Sequence, residues 1–583
     1  MSRKIGRSRY ERILALARQL PPDQQRQLTA ALSAQLARAE ATSATYRATG
    51  SASQLSRALA DLQIQANGID PDTGKPLLTL DPAMVLAAAR QPASANLAQL
   101  HAQRVSDDSA ALGLVHGISD ARLEEAGWAL LVNSVDDSAL IKALSPLLIH
   151  RARAQGLRLP PLDFRDGERC GHWLARHVAN FNRPLAADAA YQLPVLLYHP
   201  GESTAAWLER YGIAARAVDP ALGVPFYLCL AGRPGPLAPG DDAHIPFEFQ
   251  YQLDIFWGVG RLCFSDLEGL HRYDDYATYA ERLAAFETQT DAVRARHVVY
   301  FGTEHPYDLA TQTSANELIR PLHDGRPTAL SAADRFGFTQ ALFLADGARK
   351  SQLASLLRGA TPDERPAIVC TATHGLGFGA DDPRLPAHQG ALVCQEWSGY
   401  GNVRREEWFS AEDLEERSSV EGLIMISMAC YSLGCPAEDQ FSWPGERAPR
   451  RIAPRALVAQ LPQALLRQGA LALFGHVDRA WTSAFRSRLE RSAPAVARVA
   501  SAQVQAFDDL LRRLMDGKRL GYATDQFNAQ QGAVAVELSD LLAQAARSSD
   551  TFALALAISQ AWVVRNDLRN YAVLGDPAVR LAV

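Results

Sequence analysis

Residues 424–432 have the sequence Ile-Met-Ile-Ser-Met-Ala-Cys-Tyr-Ser, and residues 368–375 have the sequence Ile-Val-Cys-Thr-Ala-Thr-His-Gly. In each stretch an apolar run of strand length ends in polar residues, which include Cys430 in the first and His374 in the second. The carboxyl ends of parallel strands lie at one edge of a sheet, where catalytic and ligand sites of open α/β sheets form. The two stretches therefore predict an α/β fold in which His374 and Cys430 meet.

Apolar runs of strand length alternate with helical stretches from about residue 125 onward, which favours a largely parallel sheet covered by helices. A long helix is predicted at roughly 265–288, a helical hairpin at 8–40, and a turn at Asp70–Gly74. We expect a helical N-terminal region at 1–120, one α/β subdomain at 121–290 and a second at 291–583. The predicted strands are 128–132, 194–198, 225–230, 297–301, 338–345, 367–371, 423–428, 469–474 and 562–564.

The composition is that of an ordinary water-soluble protein, with 48% hydrophobic and 21% charged residues. The net charge of −5 predicts neither nucleic acid nor an anionic membrane as a partner. No secretory signal and no membrane-length apolar run is evident. The seven scattered cysteines do not form a disulfide framework, so a cytoplasmic location is expected. No motif indicates a cofactor or a metal.

His374 and Cys430 suit nucleophilic catalysis, because an imidazole within reach of a thiol can take its proton and later return it to a leaving amine. Gly375 allows a close approach of the backbone, since it has no side chain. The N–H groups of Gly375 and Cys430 are then candidates to bind an oxyanion, with each donor contributing on the order of 3 kcal/mol.

The spacing of the pair is similar to that of caspases, whose signature is Gln-Ala-Cys-x-Gly with the histidine about 50 residues upstream. Here the separation is 56 residues, from 374 to 430. This sequence departs from the signature at two positions, since Met428 replaces the glutamine and Ser432 replaces the glycine.

Further blocks resemble gingipain-like cysteine peptidases of the caspase-like clan and their bacterial relatives. Residues 250–254 with 259–262 resemble the end of that family's first subdomain, and the resemblance covers roughly residues 125–583. The other blocks resemble its caspase-like subdomain and are Thr373–Gly375, Ala429–Tyr431, Gly475–Trp481 and Leu574–Ala578. The resemblance implies a caspase-like sheet with helices on both faces, and hydrolysis of peptide bonds through an acyl-enzyme by His374 and Cys430.

Members of this clan select the substrate residue before the cleaved bond, called P1, with a charged residue in a pocket. By resemblance Asp308, in the loop after the first catalytic strand, is a candidate that would select Arg or Lys, although it could instead cap the next helix. Glu396 and Trp397 are candidates to line the cleft, and Trp397 could equally fill a seam between subdomains. Asp439 is a further candidate for the pocket.

His476 and Asp478 follow another predicted strand and could lie near the site, with Asp478 expected to bond to the backbone. A zinc site formed by Cys430, Cys435 and His476 is disfavoured, because the cysteine spacing is wrong and no fourth ligand is evident.

The sequence thus predicts a cysteine endopeptidase that acts on a protein or peptide substrate. A regulatory partner could bind the N-terminal helices, and activity could be released by such a partner or by self-cleavage. Two alternatives stay open: a catalytically silent caspase-like scaffold that binds a partner protein, and a different hydrolase or an acyltransferase that uses the same two residues.

Overall fold

The computed structural model describes residues 64–65, 67–80, 113–178, 192–213, 217–289, 294–325, 329–359, 365–415, 420–439, 450–481, 502–545 and 552–583. The helical hairpin predicted at 8–40 and most of the predicted N-terminal region lie outside these residues. The described residues before 81 belong to the same compact unit as those after 112.

The strands, in chain order, are β1 (Ile64–Gln65), β2 (Gly68–Ile69), β3 (Thr79–Leu80), β4 (Trp128–Asn133), β5 (Val195–Tyr198), β6 (Tyr227–Ala231), β7 (Gly258–Leu262), β8 (Ala295–Gly302), β9 (Thr339–Leu344), β10 (Pro366–Ala372), β11 (Gly375–Leu376), β12 (Leu392–Val393), β13 (Trp408–Phe409), β14 (Ile424–Met428), β15 (Gly434–Cys435), β16 (Leu457–Val458), β17 (Ala472–His476) and β18 (Tyr571–Gly575).

The α-helices are α1 (Leu123–Ala126), α2 (Ala139–Ala143), α3 (Ser145–Ala154), α4 (Cys170–His177), α5 (Thr204–Arg210), α6 (Phe247–Leu253), α7 (Tyr273–Thr288), α8 (Leu309–Ser314), α9 (Arg320–Asp324), α10 (Ala332–Phe336), α11 (Lys350–Arg358), α12 (Leu385–His388), α13 (Gln460–Arg467), α14 (Ala502–Met515), α15 (Leu520–Ala523), α16 (Asp525–Ala545) and α17 (Phe552–Arg569). A π-helical turn at Ala315–Ile319 joins α8 to α9.

Ten strands form one large sheet in the order β5-β4-β6-β7-β18-β17-β14-β10-β8-β9. Neighbouring strands are parallel except β17 and β18, which are antiparallel. Every residue of β4, β10 and β14 is buried, as expected for strands that are covered on both faces. The predicted α/β fold with a large central sheet is confirmed.

The antiparallel pairing of β17 with β18 reverses the sheet at its middle. Strands β8, β9, β10, β14 and β17 therefore run opposite to β4, β5, β6 and β7. One edge of the sheet consequently collects the carboxyl ends of β8, β9, β10, β14 and β17 and the amino ends of β4, β5, β6 and β7. The loops that follow β8, β10, β14 and β17 all leave from this edge, where catalytic groups are expected.

Residues from both expected subdomains contribute to this one sheet, and β18 from the C-terminus lies between them. Asp576, directly after β18, is fully buried and accepts hydrogen bonds from Arg151 Nε at 2.6 Å and from Trp128 Nε1 at 2.9 Å. These two hydrogen bonds attach the segment after β18 to α3 and β4. The boundaries at 120 and 290 stay predictions.

A small sheet lies beside the large one, with the strand order β13-β12-β11-β2. Strand β2 comes from the start of the described chain and pairs in parallel with β11, which begins at the residue after His374. The small sheet therefore brings residues 68–69 next to the predicted site.

The strand predicted at 562–564 is wrong, because these residues lie inside α17. A short apolar run such as Trp-Val-Val cannot be distinguished from a buried helix by periodicity alone. The last strand is β18, at 571–575. Within the described part of the chain, no helix combines the length and apolar composition needed to cross a lipid bilayer.

Candidate active site

His374 and Cys430 follow neighbouring strands at matching positions. Strands β10 and β14 pair in parallel, with Ala372 opposite Met428, and the histidine and the cysteine each come two residues after that pair. Both side chains are buried. The predicted adjacency of the two strand ends is confirmed.

Gly375 lies directly against the backbone of Cys430. A Cβ atom added to this glycine would lie 1.8 Å from the carbonyl oxygen of Cys430 and 3.0 Å from its nitrogen. Any larger residue at position 375 would therefore clash with the backbone that carries the thiol. The close approach expected from this glycine is present.

Asp308 binds the imidazole of His374. Its Oδ2 atom lies 2.7 Å from Nε2 of His374, and it also accepts hydrogen bonds from Oγ1 of Thr311 at 2.6 Å and from the Thr311 N–H at 2.9 Å. Burial opposes ionisation of this carboxyl, but the imidazole and the Thr311 donors outweigh burial and hold the pKa of Asp308 below its usual range. An ionised carboxylate only accepts, so Nε2 of His374 carries the proton.

The same carboxylate is the N-cap of α8, since it accepts from the first backbone N–H groups of the helix at Ala310 and Thr311. The helix thereby fixes the carboxylate in front of the histidine. Nδ1, the other imidazole nitrogen of His374, has no hydrogen-bond partner among the described residues.

The thiol of Cys430 lies in a covered site. Its Sγ atom accepts a hydrogen bond from the N–H of Ala480 at 3.2 Å. Burial raises the pKa of the thiol well above its usual range, although the Ala480 N–H and the charge of Arg479 act in the opposite direction. The group is consequently a neutral thiol in this state. The next residue, Tyr431, has a φ of 57°, so the chain turns sharply after the cysteine.

The N–H groups of Gly375 and Cys430 point at the same oxygen atom, the backbone carbonyl of Asn67. The N···O distances are 3.3 Å from Gly375 and 3.4 Å from Cys430. The two groups named from the sequence as oxyanion donors thus converge on one carbonyl oxygen. That oxygen belongs to a segment for which sequence reasoning assigned no role in the site.

Asn67 is itself fully buried in this site. Its N–H donates to the carbonyl oxygen of Ala480 at 2.7 Å. Its side-chain Nδ2 donates to the carbonyl oxygen of Thr373 at 2.7 Å and to Sδ of Met428 at 3.0 Å. A turn is predicted nearby at Asp70–Gly74, but a turn does not show where in the fold the segment before it lies.

Trp397 lies beside the imidazole, and the carboxylate of Glu396 bonds to the start of a helix. The ring of Trp397 meets His374 edge-on with centroids 5.9 Å apart, and meets His305 with centroids 4.9 Å apart. Both carboxylate oxygens of Glu396 instead accept from the backbone N–H of Lys350, at 3.0 and 3.1 Å, at the start of α11. Burial and the neighbouring His374 lower the pKa of His305 to about 4.

Asp439 forms a buried ion pair with Arg479, which also bonds to Asp478 through Nε at 3.1 Å. The N–H of Arg479 donates to Asp478 Oδ1 at 2.8 Å, which is the backbone contact expected for Asp478. Arg479 precedes Ala480, so this cluster supports the loop that holds both the Cys430 thiol and Asn67.

The cysteine and histidine weighed as zinc ligands have other neighbours. Nε2 of His476 lies 3.3 Å from Asp567 Oδ1, and the Cys435 thiol contacts the carbonyl oxygen of Pro436 and Nε2 of Gln389. Across the residues that the structure describes, no group of three or more potential metal ligands is found.

No protein-family model and no curated protein matches the chain. Among solved structures, the chain is similar to the Arg-specific cysteine proteinase gingipain R, with 11% identity, a TM-score of 0.32, and coverage of 69% of this chain and 73% of that one. It is also similar to two structures of the separase–securin complex of Saccharomyces cerevisiae, at 10% and 8% identity and a TM-score of 0.26 in each. Both cover 76% of this chain, which spans only 22% and 23% of the matched chains. Structural similarity this weak does not show what the protein does. Any proposal about its activity therefore depends on the geometry of this site.

Proposed function

We propose that this protein is a cysteine endopeptidase of the caspase-like type, in which Cys430 is the nucleophile and His374 the general base and acid. One observation carries the proposal. Two backbone N–H groups, those of Gly375 and Cys430, converge on a single peptide carbonyl oxygen at the residue that bears the thiol. A carbonyl in that position is polarised by the same donors that would hold the negative oxygen of a tetrahedral intermediate.

The protonation state of Cys430 favours a first step in which deprotonation of the thiol and attack on the carbonyl occur together. Cys430 is a neutral thiol while it is covered, because burial raises its pKa. As Sγ attacks the carbonyl carbon, its proton passes to Nδ1 of His374, and the resulting imidazolium is stabilised by Asp308. The imidazolium then protonates the leaving amine as the C–N bond breaks. Water hydrolyses the thioester and restores the thiol.

Asp308 acts in this proposal as a positioning residue rather than as the residue that selects P1. Its carboxylate is already bonded to His374 and to Thr311. A cationic P1 side chain would have to compete with the imidazole for the same oxygen atoms. The helix cap and the histidine contact together account for its buried charge.

The cellular setting follows as a further part of the proposal. All seven cysteines are free thiols, which supports a reducing compartment such as the cytoplasm.

The regulatory partner proposed for the N-terminal helices would bind residues outside the described part of the chain. Its test is whether deletion of residues 1–110 changes activity.

A fluorogenic peptide library that varies P1 tests the activity itself. We expect hydrolysis by the wild type, and none by Cys430→Ala or His374→Ala. Cys435→Ala is the matched control, since Cys435 is an equally buried thiol that contacts Gln389 and Pro436 instead. Mass spectrometry of the products separates hydrolysis, which leaves two fragments, from acyl transfer, which leaves an acylated acceptor.

The same variants are treated with peptide acyloxymethyl ketones of different P1 residues. A Cys430-dependent adduct supports the proposal. If a protein with a normal thermal unfolding transition gives neither adduct nor hydrolysis, the silent scaffold is favoured.

A further inference from the structure

Residues 67–69 cross the candidate site in the way that an extended peptide substrate would. The N–H of Asn67 donates to Ala480, its carbonyl accepts from Gly375 and Cys430, and the carbonyl of Ile69 accepts from the N–H of Gly377 at 3.1 Å. Asn67 thus has every backbone contact expected of a P1 residue. Gly68, on the other side of the polarised carbonyl, occupies the position of the leaving amine.

Gly68 is packed directly on the nucleophile. A Cβ atom added to it would lie 2.6 Å from Cβ of Cys430 and 2.7 Å from its Sγ. Real side chains do not tolerate such distances, so only glycine fits here without displacing the segment. The peptide bond between Asn67 and Gly68 consequently lies beside the thiol.

The side chain of Asn67 occupies a closed pocket that recognises an N–H donor. Its amide nitrogen faces two acceptors, the Thr373 carbonyl and the Met428 thioether. A carboxylate in the same place would bring one negatively charged oxygen against both of these acceptors, with no hydrogen to donate to either. The pocket therefore discriminates asparagine from aspartate.

The segment is held in place by the rest of its own hairpin. The N–H of Leu77 donates to the Gly68 carbonyl at 2.8 Å, and the N–H of Asp70 donates to the Lys75 carbonyl at 2.9 Å. The N–H of Val403, in the loop between β12 and β13, donates to the Pro71 carbonyl at 2.7 Å. Because the hairpin is covalently part of the chain, the bond is presented at a high effective concentration.

We infer that the Asn67–Gly68 peptide bond is the protein's own substrate, that Cys430 cleaves it within the same molecule, and that the Thr373–Met428 pocket makes the enzyme asparagine-specific at P1. This inference rests on the proposed peptidase activity. It replaces the expectation of an Arg or Lys preference, because Asp308 and Asp439, the carboxylates considered for that role, are engaged with His374 and Arg479.

The reaction balances without any further reagent except water. Sγ of Cys430 bonds to the carbonyl carbon of Asn67, and the bond from that carbon to the Gly68 nitrogen breaks. The thiol proton passes through His374 to the new amine of Gly68. Water then adds to the thioester: its oxygen goes to Asn67 as a carboxylate, one of its protons returns to Sγ, and the other converts the Gly68 amine to an ammonium group. The products are a fragment that ends at Asn67 and a chain that begins at Gly68.

The uncut segment also closes the site to other substrates. It buries the thiol and fills both the pocket and the oxyanion site, so a second peptide cannot bind until Asn67 leaves. Self-cleavage is thereby the step that opens the enzyme to substrates with asparagine at P1 and a small residue after it.

Intact-mass analysis of the freshly purified full chain, followed over time, tests the inference. We expect one cut, after residue 67, with a rate constant independent of protein concentration. Cys430→Ala is expected to stay whole, which also excludes spontaneous scission of the Asn-Gly bond. Asn67→Asp is expected to slow the cut by roughly tenfold or more, because it places a carboxylate against two acceptors. Asn402→Asp, at an exposed asparagine, is the matched control and is expected to cut at the wild-type rate.

A second variant separates this inference from the proposed function. Gly68→Ala is expected to push the segment off the thiol, and Gly379→Ala is its control, since a Cβ there meets nothing within 4 Å. We expect Gly68→Ala to lose the self-cut yet to hydrolyse Asn-Gly peptides at least tenfold faster than Asp-Gly peptides.

The outcomes divide clearly. The inference is overturned if peptide hydrolysis depends on Cys430 but the wild-type chain stays uncut, is cut at another bond, or shows no preference for asparagine. Any of these results leaves the peptidase proposal standing. Absence of self-cleavage, peptide hydrolysis and Cys430 labelling in both the wild type and a folded Gly68→Ala variant overturns both.

Discussion

Nε2 of His374 lies 2.7 Å from Oδ2 of Asp308, and this carboxylate is also the N-cap of the helix that begins at Leu309. One acidic side chain thus orders a loop and fixes the tautomer of the imidazole. The other ring nitrogen, Nδ1, has no hydrogen-bond partner among the described residues, so it is available to accept a proton. The helix cap and the contact with His374 therefore share one carboxylate, which fixes the position of the imidazole.

Replacement of Asp308 by Asn tests this relationship. The amide removes the charge that stabilises the imidazolium, so we expect kcat to fall by roughly 100-fold or more while KM changes little. Steady-state kinetics over a range of pH checks the result, together with thermal melting. Asp346→Asn, at an exposed carboxylate, is the control. An altered P1 preference with an unchanged pH profile would instead place Asp308 in the substrate pocket.

Gly375→Ala is expected to reduce activity strongly. The added methyl group would lie 1.8 Å from the Cys430 carbonyl oxygen, so the two oxyanion donors must move apart. We expect kcat/KM to fall by at least roughly 100-fold, the effect of losing one oxyanion donor. Gly379→Ala, with open space around its Cβ, should behave as the wild type. Full activity in Gly375→Ala would show that this N–H does not bind the oxyanion.

Asp439→Ala is expected to act on stability rather than on specificity. It leaves the buried Arg479 with only part of its counter-charge, and breaking a buried pair costs about 3–5 kcal/mol. Chemical denaturation should report a loss of that order, and profiling of surviving activity should show the same P1 preference. Glu412→Ala, at an exposed carboxylate, is the control. A new P1 preference at unchanged stability would contradict this and support the role in the P1 pocket expected from the sequence.

Because His305 is buried, the stability of the fold is expected to decrease in acid. Burial lowers its pKa from 6.5 to about 4, so between these values the unfolded chain binds a proton that the folded chain does not. The free energy of unfolding therefore falls as the pH drops from about 6.5 to about 4, by up to on the order of 3 kcal/mol from this group. His305→Phe keeps an aromatic ring against Trp397 and should flatten the dependence in this window. His116→Phe, at an exposed histidine, should leave the curve of unfolding free energy against pH unchanged.

The central strands, and the positions of His374 and Cys430 at the ends of two of them, could be predicted from the sequence, for reasons that lie in a few residues. The apolar runs before His374 and Cys430 have strand length, and consecutive strands of an α/β sheet tend to be neighbours. Gly375 could be singled out because a close approach requires the absence of a side chain. The strand assigned to 562–564 failed because three apolar residues have too little periodicity to reveal a helix.

Contacts between distant parts of the chain could not be predicted in this way. Glu396 caps a helix and Asp439 pairs with Arg479, and neither partner is marked by any local pattern. Asn67 lies 306 positions before Thr373, and an Asn-Gly dipeptide is typical of any turn.

The sequence by itself therefore determined which residues could carry the chemistry and that they follow two strands of the sheet, because strand length and side-chain type are local properties. Only the tertiary structure decided what fills the site, since the hydrogen bonds of Asn67 and the packing of Gly68 on Cys430 join segments whose pairing depends on the whole fold.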